Sequence, residues 1–267
     1  MELITSAANP RIKALSRLMG RREREQEGRL LIEGAREIER ALQAGVELEL
    51  LLVRDGPLHP DEEALHRTLT HGKGLRCLAL AEAPLKKLSS RENPAGLIAV
   101  ARLPRRSLEQ LRLPPNPLVL IGVGLEKPGN LGAVLRCADA AGAHAVIAVG
   151  GVDLYGPQVI RNSTGVVFSL PTVAASEGEV LDWLKARGLT LVAATPHAKR
   201  LYWDVDLRGP VAIAVGPEHQ GLGPQWLEAA QLAVRIPMQG QADSLNVSVS
   251  AALLLYEALR QRWGSGM

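Results

Sequence analysis

The segment GVGLEKPGNLGAVLRCADAAG, at residues 122–142, joins the apolar run Leu118–Val123 to a repeat in which Leu131, Val134, Leu135 and Ala138 share one helical face. A strand, a glycine-rich turn and a helix packing its apolar stripe on a sheet are predicted in that order. Asn130 stands where an N-cap is expected, and Arg136 falls off the stripe, within reach of the cleft above the strand ends. Further along the chain come Ala145–Val149, Leu189–Ala194, Val211–Val215 and Ala233–Ile236, each apolar at consecutive positions rather than alternating. Strands apolar on both faces and separated by helical patterns predict a parallel sheet covered by helices on each side. Ligands of such sheets bind at the carboxyl ends of the strands.

Two more segments lie at predicted strand ends. VGPEHQGLG, at 215–223, places three glycines around Glu218, which allows backbone to approach a ligand closely and offers a carboxylate to orient it. RIPMQGQADSLNVSVSAALLLYEALR, at 235–260, runs from a strand through a polar loop into a long helix opened by Ser244-Leu245-Asn246. Small residues such as Ser248, Ser250 and Ala251 let that helix pack closely, and its first amides favour a polar ligand. A dinucleotide-binding turn is the competing reading of 122–127. Its spacing fails, because Lys127 stands where a third Gly or Ala is needed.

Working back from the sheet, Arg102–Pro117 contains four prolines among charged residues and predicts a connector. The expected organisation is a small α/β domain at 1–101, a linker at 102–117 and the parallel-sheet domain at 118–267. In the first domain, strands are expected at Arg29–Glu33, Leu48–Val53, Leu75–Leu80 and Gly96–Ala101, with helices at Ala35–Ala44 and Asp61–Leu69 and a helical turn at Pro84–Leu88. A basic amphipathic helix ended by Gly20 precedes them.

Charge is uneven. The formal net charge is only +3, but Arg11, Lys13, Arg17, Arg21, Arg22 and Arg24 face Glu23 alone, a local net of +5, and residues 86–106 repeat that balance. Clusters of this kind suit an anionic partner such as RNA, though a solvated basic face is the bland alternative. Four Trp, three Tyr and one Phe in 267 residues are too few for broad base-stacking platforms. With Cys77 and Cys137 as the only cysteines and no nearby His cluster, neither a disulfide framework nor a metal site is indicated. No apolar run nears the ~20 residues that span a bilayer and no signal pattern opens the chain, so a cytoplasmic protein is expected.

Taken together, residues 130–142, 214–223 and 236–260 resemble the three motifs of the SpoU group of the SPOUT superfamily of RNA methyltransferases, in family order. SAANPRIKALSRL at 6–18 and LLIEGAREIERAL at 30–42 resemble the ribosomal-protein-like substrate-binding domain of many members. The resemblance implies a trefoil knot in the C-terminal half, a homodimer, no metal, and S-adenosylmethionine as methyl donor for a ribose 2′-hydroxyl, with 23S ribosomal RNA as the expected substrate. Transfer RNA, or a non-catalytic role in RNA binding or ribosome assembly, are the alternatives. Carried over residue by residue, it assigns Gly216, Ile236 and Leu245 to the cofactor, with Thr195 and Met238 beside them. It assigns Asn130 and Arg136 to the reaction centre, supported by Glu218, Ser244 and Asn246. Methyl transfer needs the ribose oxygen aligned and relieved of a proton. Guanidinium is a poor base, so either the site depresses the proton affinity of Arg136 strongly, or Arg136 orients the substrate while another group takes the proton. One departure is Lys127, which lies in a loop where many relatives have an acidic pair.

Overall fold

In the computed structural model, which describes residues 1–72, 74–217 and 220–263, the chain forms two compact units. Met1–Arg105 and Tyr155–Ser169 make the first, and Arg106–Leu154 with Leu170–Met267 the second.

The first unit holds a five-stranded mixed sheet of β1 (Glu2–Ile4), β2 (Arg29–Glu33), β3 (Leu48–Arg54), β4 (Cys77–Leu80) and β5 (Leu97–Arg102), in the order β1-β4-β3-β5-β2. β1 and β3 run parallel to β4, while β5 is antiparallel to both β3 and β2. The basic segment is two helices rather than one: Pro10–Arg17, capped by the Asn9 side chain, and Arg21–Glu27, preceded by Gly20 and closed by left-handed Gly28. Ile12, Leu15 and Leu18 pack on Leu31, Leu52, Leu80, Ile98 and Val100, and burying each such side chain stabilises by about 1.5–3 kcal/mol. Two buried carboxylates are satisfied by loop donors, as burial requires. Glu33 accepts from Ser89 Oγ at 2.6 Å and the Ala95 amide at 3.0 Å, and Glu62 accepts from the Gly96 amide at 2.7 Å.

Tyr155–Ser169 joins this unit although it lies beyond the expected linker. Its helix Pro157–Asn162 meets β2, and its turn Val166–Ser169 meets the helix Ala35–Gln43. Arg40 clasps the junction, donating to the carbonyl and Oγ1 of Thr164, both at 2.7 Å. Thr164 has a φ of +52°, the only positive value among described non-glycine residues.

The second unit is built on a seven-stranded parallel sheet: β6 (Leu118–Val123), β7 (Ala145–Val149), β8 (Thr172–Ala175), β9 (Thr190–Ala194), β10 (Arg200–Leu201), β11 (Val211–Val215) and β12 (Leu232–Arg235). Their order is β10-β12-β9-β11-β6-β7-β8. The chain builds outward from β6 through β7 to β8, then crosses to the other side for β9, so the order reverses between β6 and β11. Such a reversal opens a crevice at the carboxyl ends of those strands. The start of the expected linker is the end of β5, and two residues of its later part anchor it: Leu108 and Leu111 lie in this unit's core, and the Leu108 carbonyl accepts from Trp183 Nε1. The last helix, Val247–Trp263, buries Val247, Ala251, Leu254, Leu255 and Ala258 and packs on the helix Pro128–Ala140, β11 and β6. Buried Arg262 anchors its end, donating to the carbonyls of Leu207, Asn116, Pro117 and Gly209.

Candidate active site at the strand ends

A cavity of about 210 Å³ opens at the carboxyl ends of β9, β11 and β12. Thr195, Gly216, Ile236, Met238 and Leu245 line it, together with Ser244 and with Leu222 and Ser250, which the sequence reading did not single out for this role. Its wall is fixed by backbone pairing, since the Thr195 amide donates to the Val234 carbonyl at 2.9 Å. Gly216 is required by close approach: a Cβ there would lie 2.5 Å from the Gly221 carbonyl carbon and 2.8 Å from the Leu222 nitrogen.

The other motif reaches this place by two routes. Gly124, at φ +61°, leaves room for Pro217, whose Cγ would stand 3.1 Å from an added Cβ. Asn246 Nδ2 donates to Asn130 Oδ1 at 3.2 Å, across 116 positions of sequence. Loops after β6, after β11 and before the last helix therefore converge.

Asn130 is not an N-cap. Pro128 takes the first helical position and Lys127 the cap, which moves Asn130 to the third residue of the helix and frees its side chain for Asn246. The residue that does cap is Asn246, whose Oδ1 accepts from the Ser248 amide at 2.9 Å and Ser248 Oγ at 2.6 Å, ahead of Val247–Trp263. Arg136 lies on the exposed face of its helix, outside the cavity lining, with no hydrogen bond or ion pair to a described residue. Glu218 lies outside the described residues. Among the described residues, no group of three or more His, Cys, Asp or Glu side chains could hold a metal, and no helix is long and apolar enough to cross a membrane.

The basic residues of the first unit divide. Lys13, Arg17 and Arg22 are exposed with no ion pair among the described residues, while exposed Arg11 and Arg21 meet Glu2 and Glu25 at 2.9 and 2.7 Å. Arg24 does not belong on that surface. It is 1% exposed and donates to the carbonyls of Leu18 and Met19, both at 2.8 Å, so it seals the end of the preceding helix. In the stretch 86–106, Lys86, Arg91 and Arg102 all pair with glutamates, Arg91 with the buried Glu33 and Glu37.

Residues 117–256 match the SpoU rRNA Methylase family, and residues 9–99 match the MRM3-like substrate binding domain. A 23S rRNA (uridine(2479)-2′-O)-methyltransferase of Streptomyces viridochromogenes is 35% identical over 96% of this chain and 92% of its own length. The chain belongs to the SpoU rRNA methylase family. Its activity class is accordingly methyl transfer to RNA. Among solved structures, this SpoU methylase resembles an RNA 2′-O ribose methyltransferase at 69% identity and a TM-score of 0.89, over 98% of this chain and 99% of that one. It also resembles the SpoU methyltransferase AviRb from Streptomyces viridochromogenes in complex with AdoMet, at 34% identity and a TM-score of 0.89, over 97% and 100% of the two chains.

Proposed function

We propose that this chain methylates the 2′-hydroxyl of one ribose in 23S ribosomal RNA, using S-adenosylmethionine, in the cytoplasm and as a homodimer. The observation on which this rests is the meeting of three strand-end loops around one cavity in a SpoU methylase. The lining suits the donor molecule: Ile236, Leu245 and Leu222 offer apolar walls for a flat base, Thr195, Ser244 and Ser250 offer hydroxyls, and Gly216 brings backbone against the ligand. Bound there, the sulfonium supplies an electrophilic methyl group. Asn130 and Asn246, beside the cavity, position the ribose oxygen, with Arg136, Glu218 and Ser244 in support. Ribosomal rather than transfer RNA is favoured by the substrate-binding domain and by the 23S rRNA relative.

Dimerisation is supported by a second apolar stripe on the last helix, where Val249, Leu253 and Tyr256 face away from the core and Val249 and Tyr256 are 45% and 49% exposed. In this reading the partner subunit completes the site beside Arg136. The last segment is taken as threaded through a knot, in keeping with the bonds from Arg262 to four carbonyls of distant loops.

Transfer of labelled methyl to 23S rRNA is the test, with wild type, Asn130→Ala and Arg136→Ala. Each variant is expected to lose about 100-fold or more in rate. Unchanged rates in both would remove the site assignment. RNA affinity without S-adenosylmethionine binding in calorimetry would instead establish a non-catalytic RNA-binding protein.

A further inference from the structure

Beyond the cavity wall the chain passes from a basic pair to an aromatic one. Thr195, Pro196 and His197 line the cavity, Lys199 and Arg200 follow, and Tyr202 and Trp203 end the run. Strand β10 sets their place, since Leu201 is level with Arg235 on β12 and the Tyr202 amide donates to the Arg235 carbonyl at 3.0 Å, next to the cavity residue Ile236. Trp203 thus stands at the carboxyl ends of the strands, one strand over from β12 and about 5 Å along the sheet. Its indole is 45% exposed, whereas Trp183 and Trp226 are buried. The ring is still held in place. It meets Tyr202 with centroids 4.9 Å apart and planes at 59°, and the Asp204 amide closes the turn by donating to the Leu201 carbonyl at 3.0 Å. Lys199 and Arg200 are exposed, and their side chains make no hydrogen bond or ion pair to a described residue.

A subunit contact explains this rim poorly, because the core of a protein interface is depleted of charge and of lysine above all, and here Lys199, Arg200 and Asp204 surround an exposed ring. An unpaired nucleotide suits it on both counts. Its phosphates take the cations, and its base takes the flat ring, a contact that raises affinity about five- to a hundredfold per base. A duplex keeps its bases inside the stack and offers the ring no face.

We propose that Trp203, flanked by Lys199 and Arg200, is a stacking platform for one unpaired RNA base beside the nucleotide being methylated, so that the target is taken from a single-stranded loop or bulge. This rests on the reading above that RNA brings its ribose to the cavity.

The probe is a short single-stranded oligouridylate added to the full-length protein, with a duplex RNA of equal length for comparison. The single strand is expected to quench tryptophan emission and the duplex to leave it unchanged, and the quenching disappears in Trp203→Phe, which keeps a ring but removes the indole. In filter binding, Trp203→Ala lowers single-strand affinity by about ten- to a hundredfold, while its unfolding midpoint and S-adenosylmethionine affinity stay close to wild type. Replacing Lys199 and Arg200 together by alanine flattens the dependence of log affinity on log salt by about 1–1.5. Single-strand affinity of Trp203→Ala within threefold of wild type, or equal quenching by the duplex, overturns the proposal. A change of Trp203→Ala from dimer to monomer in sedimentation overturns it too, since the ring is then a subunit contact. Should the wild-type protein bind no S-adenosylmethionine in calorimetry, the functional reading fails by itself, and the quenching still decides whether the platform exists.

Discussion

Replacing Gly216 by alanine tests the cavity wall most directly. The added Cβ would lie 2.5 Å from the Gly221 carbonyl carbon, 2.6 Å from its oxygen and 2.8 Å from the Leu222 nitrogen. All three are backbone atoms, so relief requires the loop to retreat by close to ~1 Å rather than a side chain to rotate. Overpacking of this kind costs about 1–3 kcal/mol of stability. A ~1 Å displacement of positioning groups costs about 100-fold in rate, and S-adenosylmethionine affinity is expected to fall about 10- to 100-fold, equivalent to about 1.4–2.7 kcal/mol. Gly188→Ala is the control: its φ of +61° makes a side chain strained, by about 1–2 kcal/mol, but an added Cβ would meet nothing within 4 Å and the residue is outside the cavity lining. Both variants lose stability, and only Gly216→Ala loses affinity. Calorimetric titration of each with S-adenosylmethionine reads the difference, and wild-type affinity in Gly216→Ala would refute the reasoning.

Arg24→Met leaves the Leu18 and Met19 carbonyls without their donor and should lower stability by about 2–4 kcal/mol, whereas Arg22→Ala should stay within about 0.5 kcal/mol; denaturant unfolding compares them. Removing Lys13, Arg17 and Arg22 together should weaken RNA binding and flatten the dependence of log affinity on log salt by about 2–3, as read by filter binding across a salt series. His144 has its pKa lowered by burial, then by the Arg262 charge, and its Nδ1 accepts from the Leu118 amide at 3.0 Å, a bond made by the neutral ring. The unfolded chain therefore takes up this proton first, so stability held above pH 6.5 is lost as pH falls below it. His144→Asn, which keeps an acceptor, should show a shallower decline in melting temperature between pH 7 and 5.

Much of this architecture was legible. The runs Leu118–Val123, Ala145–Val149 and Val211–Val215 form strands at the expected residues, because sites buried on both faces leave no polar interruption to blur them. β1, β8 and β10 escaped, having three, four and two residues, too short for any periodicity. Asn130 was placed at the cap because asparagine favours it, but Pro128 two residues earlier is a stronger start, with its φ already helical. Arg24 shows the limit of reading charge along a chain: its neighbours Arg21 and Arg22 are exposed, and only the turn at Gly20 decides which guanidinium folds inward. The role of Ser248 could have been found from the spacing of an asparagine cap and a hydroxyl two residues on, a pattern that fixes an amide's orientation as well as a helix start.

The membership of Tyr155–Ser169 in the first unit bears on how this protein could be dissected or could have evolved. A cut near Arg105 would not yield two sound halves, because the C-terminal piece would retain Val159, Ile160, Val167 and Phe168, all buried here, stripped of β2 and of the helix Ala35–Gln43. Such a fragment should clump unless those side chains are made polar. A lineage that shed or exchanged its RNA-recognition module would have needed to rewrite this stretch of the catalytic half in the same step.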